Sequence, residues 1–229
     1  MIIGHGLLGK QFSSYEDNTE FLIFCSGVSN STCTNPAEFQ REHNLLQQAI
    51  HNHQNKQFVY FSTCSVYDPS QRDRPYVQHK LQMEEMIQAD HPHFLIVRTS
   101  NLVGKTNNPN TVLNFFFQAI QEEKSISLWA NAERNLIDVL DVYKAVHYIL
   151  EKQLFHNSIV TIANTQSYPV LLIIKTLEDF LGKKARYTLE EKGQAFNIPL
   201  QEIKPIYERL GLEFDADYLS HLLERYYTV

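Results

Sequence analysis

Four short runs of the chain, Phe21–Cys25, Phe58–Ser62, Phe94–Arg98 and Ser158–Ala163, are almost continuously apolar. A strand with one face in water alternates apolar and polar residues; a strand covered on both faces does not. The runs therefore predict strands of a parallel sheet sandwiched between layers. Helix-length stretches separate them: Ala37–Ile50, Pro75–Gln88, Asn110–Gln121 and Asp141–Glu151. Asp73 and Pro75 give the second of these a cap region and a first-turn proline. Strands alternating with helices predict right-handed β-α-β units and an α/β, doubly wound sheet. The last third differs. Tyr168–Leu181 and Pro199–Leu210 read as helices stopped by Gly182 and Gly211, and Asp215–Tyr227 as a third. We expect residues 1–159 to form the main domain, with 105–135 on its substrate side. Residues 160–229 are expected to form a small, mostly helical lobe. No Gly/Ser linker precedes that lobe, so it should pack on the sheet.

At the amino end, Met1-Ile2-Ile3 leads directly into Gly4-His5-Gly6-Leu7-Leu8-Gly9. This G-x-G-x-x-G follows an apolar start and precedes a helix-compatible segment. The first glycine permits a tight turn, the second lets backbone approach a pyrophosphate, and the third lets helix and strand pack closely. The pattern predicts a Rossmann-type dinucleotide fold. A full fingerprint also has an acidic residue roughly 20 positions on, at the end of a second strand, for the adenosine ribose. Here the next strand, Phe21–Cys25, runs into Ser26-Gly27-Val28, which reads as a later strand of such a fold. The usual second and third strands are expected to be missing. Asp17 and Glu20 are the only acids nearby, so NAD and NADP both stay open.

Composition narrows the partners. The 229 residues are 43% hydrophobic, enough to bury a core, and the net charge is −6. A negative chain lacks the basic face that binds a nucleic-acid backbone. No apolar run approaches the ~20 residues of a membrane span, and no secretory leader is expected ahead of a glycine motif that begins at residue 4. Cys25, Cys33 and Cys64 lack metal-ligand spacing and read as reduced thiols of a cytoplasmic protein. The ten histidines are scattered, and His51, His53, His91 and His93 read as solvated surface residues with no metal between them.

Tyr76-Val77-Gln78-His79-Lys80 is a Y-x-x-x-K within the second helix. A spacing of four puts Tyr76 and Lys80 on one helix face, a turn apart. A phenol with a pKa near ~10 is a poor base at neutral pH. A neighbouring ammonium favours the phenolate, so Tyr76 could exchange a proton with a substrate oxygen while hydride moves to or from a nicotinamide. Thr63, at the end of Phe58–Ser62, could hydrogen-bond and align the same oxygen.

Taken together, these motifs resemble the NAD-dependent epimerase/dehydratase group of short-chain dehydrogenase/reductases, in its nucleotide-sugar-modifying branch. The matching segments run in order: Gly4–Gly9, Ser26-Gly27, Asn44 in a helix, Ser62-Thr63 to Val66-Tyr67, Tyr76 with Lys80, Arg98 to Gly104, and Arg134 to Asp141. The resemblance implies that Thr63, Tyr76 and Lys80 are a catalytic triad and that Asn44 supports Lys80 through water. It places the cofactor, NAD or NADP, on Gly4, His5, Gly6, Leu7, Leu8, Gly9, Cys25, Ser26, Gly27 and Ser62, with Tyr76, Lys80, Arg98 and Asn101 at the nicotinamide end. Substrate contacts would come from Thr63, Cys64, Ser65 and Asn101, and Asn110 or Arg134 would reach a substrate diphosphate. Arg134 reads equally well as a surface ion-pair member.

Two departures matter. Dehydratases of the group carry Asp-Glu directly after the threonine, where this chain has Cys64-Ser65. Neither is a credible acid or base for expelling water. The segment from Thr63 to Tyr76 is also shorter than usual. The reading that results is an NAD(P)-dependent reductase or epimerase of a nucleotide-linked sugar, with 4-keto reduction preferred over C4 epimerisation, serving surface polysaccharide synthesis. It would be a homodimer joined through Ala37–Ile50 and Pro75–Gln88. The alternative is a cofactor-binding, sensor or scaffold protein on a degraded fold, without activity.

Overall fold

A computed structural model describes residues 1–228 of the chain. The main sheet holds five strands, all parallel, in the order β1 (Ile2–Ile3), β2 (Phe21–Phe24), β3 (Gln57–Thr63), β4 (Phe94–Thr99) and then the late strand Ser158–Ile162. Helix α1 (Leu7–Gln11) follows β1, α2 (Pro36–Asn52) follows β2, and α3 (Pro75–Asp90) follows β3. Only a short helix and turn join β1 to β2, and those two strands pair directly, Ile2 with Ile23 and Ile3 with Phe24. The two-residue β1 is thus the margin of the sheet, and no strand lies outside it among the described residues.

Continuous apolar strands serve two cores. Leu22, Phe24, Phe58, Tyr60 and Ile96 face α2 and α3, meeting Leu46, Ile50, Met83 and Ile87. Their neighbours Ile23, Val59, Phe61, Leu95 and Val97 face the opposite side. Each fully buried aliphatic or aromatic side chain stabilises the fold by about 1.5–3 kcal/mol, so both layers hold the sheet.

Beyond β4 come β5 (Asn101–Val103), α4 (Val112–Gln121), β6 (Ser125–Trp129), β7 (Glu133–Arg134), β8 (Leu136–Asp138) and α5 (Val139–Glu151). The Ser158–Ile162 strand is β9, and β10 (Tyr168–Pro169), α6 (Val170–Leu181), β11 (Arg186–Glu190), α7 (Lys204–Leu210) and α8 (Tyr218–Tyr226) complete the chain. β5 pairs with β8 in parallel and β7 with β10 antiparallel, both past the carboxyl end of β4. Helix α5, with Val142, Val146 and Ile149, covers the second face of the sheet, and α6 and α8 extend the same core.

The late region is less helical than its sequence predicts. Arg186–Glu190 is a strand in register with β6, Arg186 opposite Ser125 and Glu190 opposite Trp129. Its partner lies some sixty residues away, out of reach of any local pattern. The helix expected over Pro199–Leu210 begins only at Lys204, with Pro205 in its first turn and a preceding turn closed from Ile203 N–H to Leu200 O. β9 carries the main sheet across residue 160, where the division between main domain and lobe was expected. The later residues meet α5 and the segment after β9: Tyr207 donates to Ala163 O at 2.8 Å, and Tyr218 to the Asp141 carboxylate at 2.8 Å.

Candidate active site

Gly4 has φ +115°, and a Cβ there would sit 2.6 Å from the Cys25 backbone. The Gly-rich turn therefore leans directly on the end of β2. A Cβ on Gly9 would lie 2.2 Å from Gly4 O, which ties α1 to the turn. At Gly6 a Cβ would meet nothing within 4 Å. Steric demand thus explains Gly4 and Gly9 from inside the fold, whereas Gly6 faces outward with exposed His5 beside it. Leu7 packs toward Gly104, whose own Cβ would strike Leu7 Cδ1 at 2.7 Å, so the Gly-rich turn and the β5 end are in contact. Leu8 packs against the larger core. Cys25 is a weak acid here, its thiol pushed up to about 12 by burial. Ser26 is held by Arg41, which donates to its hydroxyl and carbonyl at 3.2 and 3.1 Å.

Tyr76 and Lys80 project from one face of α3, and both are buried. Thr63, ending β3, accepts from Ser65 N–H at 3.1 Å, and its hydroxyl is near enough to the Tyr76 phenol to favour the phenolate. The three residues read as a triad are therefore together. Val28 and Cys33, from the loop after β2, pack over Tyr76 and Val77. Thr63 pairs with Thr99 across the strand ends. Thr99 Oγ1 and the neighbouring Ser100 Oγ are buried without a hydrogen-bond partner. Two orphaned hydroxyls beside the triad are what a polar ligand would satisfy. Together with the outward opening at Gly6, they fit a nucleotide cofactor and a hydroxylated substrate.

The surroundings of Lys80 were not foreseen. Its ammonium donates to Glu42 Oε1 at 2.9 Å, to Tyr60 Oη at 3.0 Å and to Phe61 O at 3.4 Å. Glu42, on α2, is 0% exposed. It also accepts from Tyr60 O–H at 2.7 Å, Val28 N–H at 2.6 Å and His79 Nε2 at 3.0 Å. Lys80 among others holds the Glu42 carboxyl far below the usual range, against the opposing effect of burial. Gly27 makes room for this cluster, since a Cβ there would fall 2.6 Å from Lys80 Nζ. Burial pushes the Tyr76 phenol above its ordinary value; Lys80 opposes this and Glu42 adds to it. The sequence did carry a signal: Glu42 shares a stripe with Leu46, Ala49 and Ile50, an acid on an apolar helix face.

Several expected contacts are placed elsewhere. Asn44 is exposed and accepts from Gln40 at 2.7 Å, so its side chain does not support Lys80. At 3.6 residues per turn, Asn44 and Glu42 point about 200° apart, and the carboxylate takes the inner position. Arg98, expected at the nicotinamide, instead pairs with Glu84 of α3 at 2.6 Å. Strand alternation puts Arg98 on the α3 face with Ser62, which donates to the same Glu84. Asn101 is exposed, with its side chain on Asn135 O at 2.8 Å. Asn110 lies in an exposed turn, its N–H on Asn108. Among the described residues Arg134 forms no ion pair; burial lowers its pKa, and it lies within electrostatic range of Asp68 and Arg74. Cys64 is buried with its thiol pushed far up, which leaves no acid or base after Thr63.

His91, expected in solvent, is buried and bridges two backbone groups, His93 N–H and His53 O. Among the described residues no cluster of histidine, cysteine and acid could hold a metal ion. Among the described residues no helix is long and apolar enough to cross a membrane.

No curated relative matches the chain in sequence. Solved structures resemble its fold. UDP-glucuronic acid 4-epimerase from Bacillus cereus, in complex with NAD, superposes with a TM-score of 0.71 at 18% identity, covering 95% of this chain and 74% of that one. RMD from Pseudomonas aeruginosa, complexed with NADPH, gives 0.70 at 15% identity, covering 98% and 96%. UDP-N-acetylglucosamine 4-epimerase from Methanobrevibacter ruminantium M1, in complex with UDP-N-acetylmuramic acid, gives 0.68 at 17% identity, covering 98% and 81%. The profile of the NAD dependent epimerase/dehydratase family matches residues 26–163, more than half of the chain and the whole span from the Ser26 loop through the triad to β9. This chain belongs to the NAD dependent epimerase/dehydratase family.

Proposed function

We propose that the protein is an NAD(P)-dependent oxidoreductase or epimerase acting on a nucleotide-linked sugar, with 4-keto reduction preferred over C4 epimerisation. The observation that carries this reading is the meeting of Thr63, Tyr76 and Lys80 at one strand end. Gly4–Gly9 and Ser26-Gly27 would hold the cofactor, which when bound supplies or accepts a hydride. Tyr76 would exchange the proton with the substrate oxygen, and Thr63 would orient that oxygen. A phenol raised by burial is protonated at neutral pH, which suits giving a proton to a carbonyl and hence reduction. Arg134, without an ion-pair partner, is a candidate for the substrate diphosphate. A cytoplasmic homodimer joined through α2 and α3, serving surface polysaccharide synthesis, completes the reading.

A second reading, a binding or scaffold protein without activity, has one observation in its favour. All three N–H groups of Lys80 are taken by protein acceptors. Calorimetric titration with NAD, NADH, NADP and NADPH separates the two. Tight binding of one cofactor, lost in Gly6→Val, is the expected result. The variant should fold, because its Cβ meets nothing within 4 Å. No binding of any of the four would favour the scaffold.

A further inference from the structure

Glu42 is fully buried, and nothing in the chemistry above requires a carboxylate there. We propose that Glu42 is a positioning residue that sets the charge of the Tyr76/Lys80 pair, so that Tyr76 rests as a neutral phenol able to give its proton to a substrate oxygen. The direction of reaction rests on the function proposed above; the charge setting does not.

Lys80 has three N–H groups, and each has an acceptor in the protein. Glu42 has two oxygens, each with two donors. The ammonium is therefore fixed in place and balanced by one full negative charge. A Tyr/Lys pair without such a partner carries a spare positive charge, which favours the phenolate. Here formation of a phenolate would put a second anion within the field of Glu42, in a buried place where solvent stabilises it little.

Other groups do not undo this. Around the pair, β3 brings Tyr60 and the residue after it Cys64, and α3 adds His79. Glu84 is already paired with Arg98. The loop over Tyr76 brings Cys33 and carries no charged residue from Ser26 to Asn35.

The step this favours is balanced. The phenol O–H breaks and a new O–H forms on the substrate carbonyl oxygen. The carbonyl carbon takes a hydride from a reduced nicotinamide dinucleotide, and the phenolate regains its proton from water. Because the phenolate left beside Glu42 is a stronger base, Tyr76 keeps its proton until the substrate oxygen, gaining negative charge as the hydride arrives, takes it. The pair thus works as an acid.

The test is titration of the whole chain labelled with [13Cζ]tyrosine, with Tyr76→Phe to assign the resonance. In the unsubstituted protein, Tyr76 should remain protonated past the ordinary phenol value of ~10. In Glu42→Gln, the pair should lose its first proton at least about one pH unit lower, a roughly tenfold change, whichever member releases it. A purely structural Glu42 would lower thermal stability and leave the titration where it was. Tyr76 ionising at or below ~10 in the unsubstituted protein, or an unmoved titration in a folded Glu42→Gln, overturns the proposal. If Glu42→Gln does not fold, the unsubstituted titration decides, and Glu42→Asp, which keeps the charge, should match it. Failure of all four cofactors to bind, with the titration shift intact, would defeat the proposed function and leave the charge role of Glu42 standing.

Discussion

Helix α3 places two buried charges one turn apart, Lys80 and Glu84, and the two are treated differently. Lys80 meets Glu42 in a closed cluster, with the partners 3% and 0% exposed at their side chains. Glu84 meets Arg98 through two parallel contacts, 3.1 and 2.6 Å, and Arg98 is 18% exposed. Arg98 also donates to Tyr67 Oη at 3.2 Å and lines a groove of about 470 Å³ with Val66, Tyr67, Pro69, Arg72 and Leu81. Water can thus reach one pair and not the other. Desolvation makes the closed pair costly to break, because the remaining partner has nothing to replace what it lost. The open pair can be rehydrated from its groove.

Four substitutions, one of them tested in combination, would break or sharpen this contrast, along with the cofactor and titration experiments described above. Lys80→Met should have the largest effect. It leaves Glu42 buried without its counter-ion and should cost about 3–5 kcal/mol in denaturant unfolding. Adding Glu42→Gln to it should recover most of that loss, because the double variant carries no buried charge at the site. Arg98→Met should cost less, about 1–3 kcal/mol, since Glu84 keeps Ser62 and gains water. If Arg98→Met proves as damaging as Lys80→Met, the distinction between closed and open pairs fails. Asn44→Ala should have the smallest effect, within about 0.5 kcal/mol, with unchanged cofactor titration. A large loss of cofactor binding there would return Asn44 to the site.

What could be read in the sequence was what depends on neighbours in the chain. The apolar runs, the Gly4–Gly9 turn and the four-residue spacing of Tyr76 and Lys80 each need only local geometry, and each lies where it was expected. Thr63 was legible because it ends a strand. Asn44 was misplaced by two residues of helix, which is more than half a turn. Arg98 was misplaced because residues on one strand alternate faces and the sequence does not say which face holds Glu84. Tyr60 and His79 joined the site through packing between α2, α3 and β3, which no local pattern reports. The pairing of β11 with β6 was hidden for the same reason: the two strands meet only after the intervening chain has folded.

The two-residue β1 has a consequence for how such a chain can vary. Strands join a wound parallel sheet at its border, and among the described residues β1 pairs with β2 alone. The register that sets Thr63 against Thr99 lies two strands further in, between β3 and β4. A border can therefore be extended outside β1 without disturbing the alignment of the reacting groups, although β1 itself leads into the Gly4–Gly9 turn. The chemistry is insulated from the outline of the molecule, and the scaffold can change size at its rim while its centre stays in place.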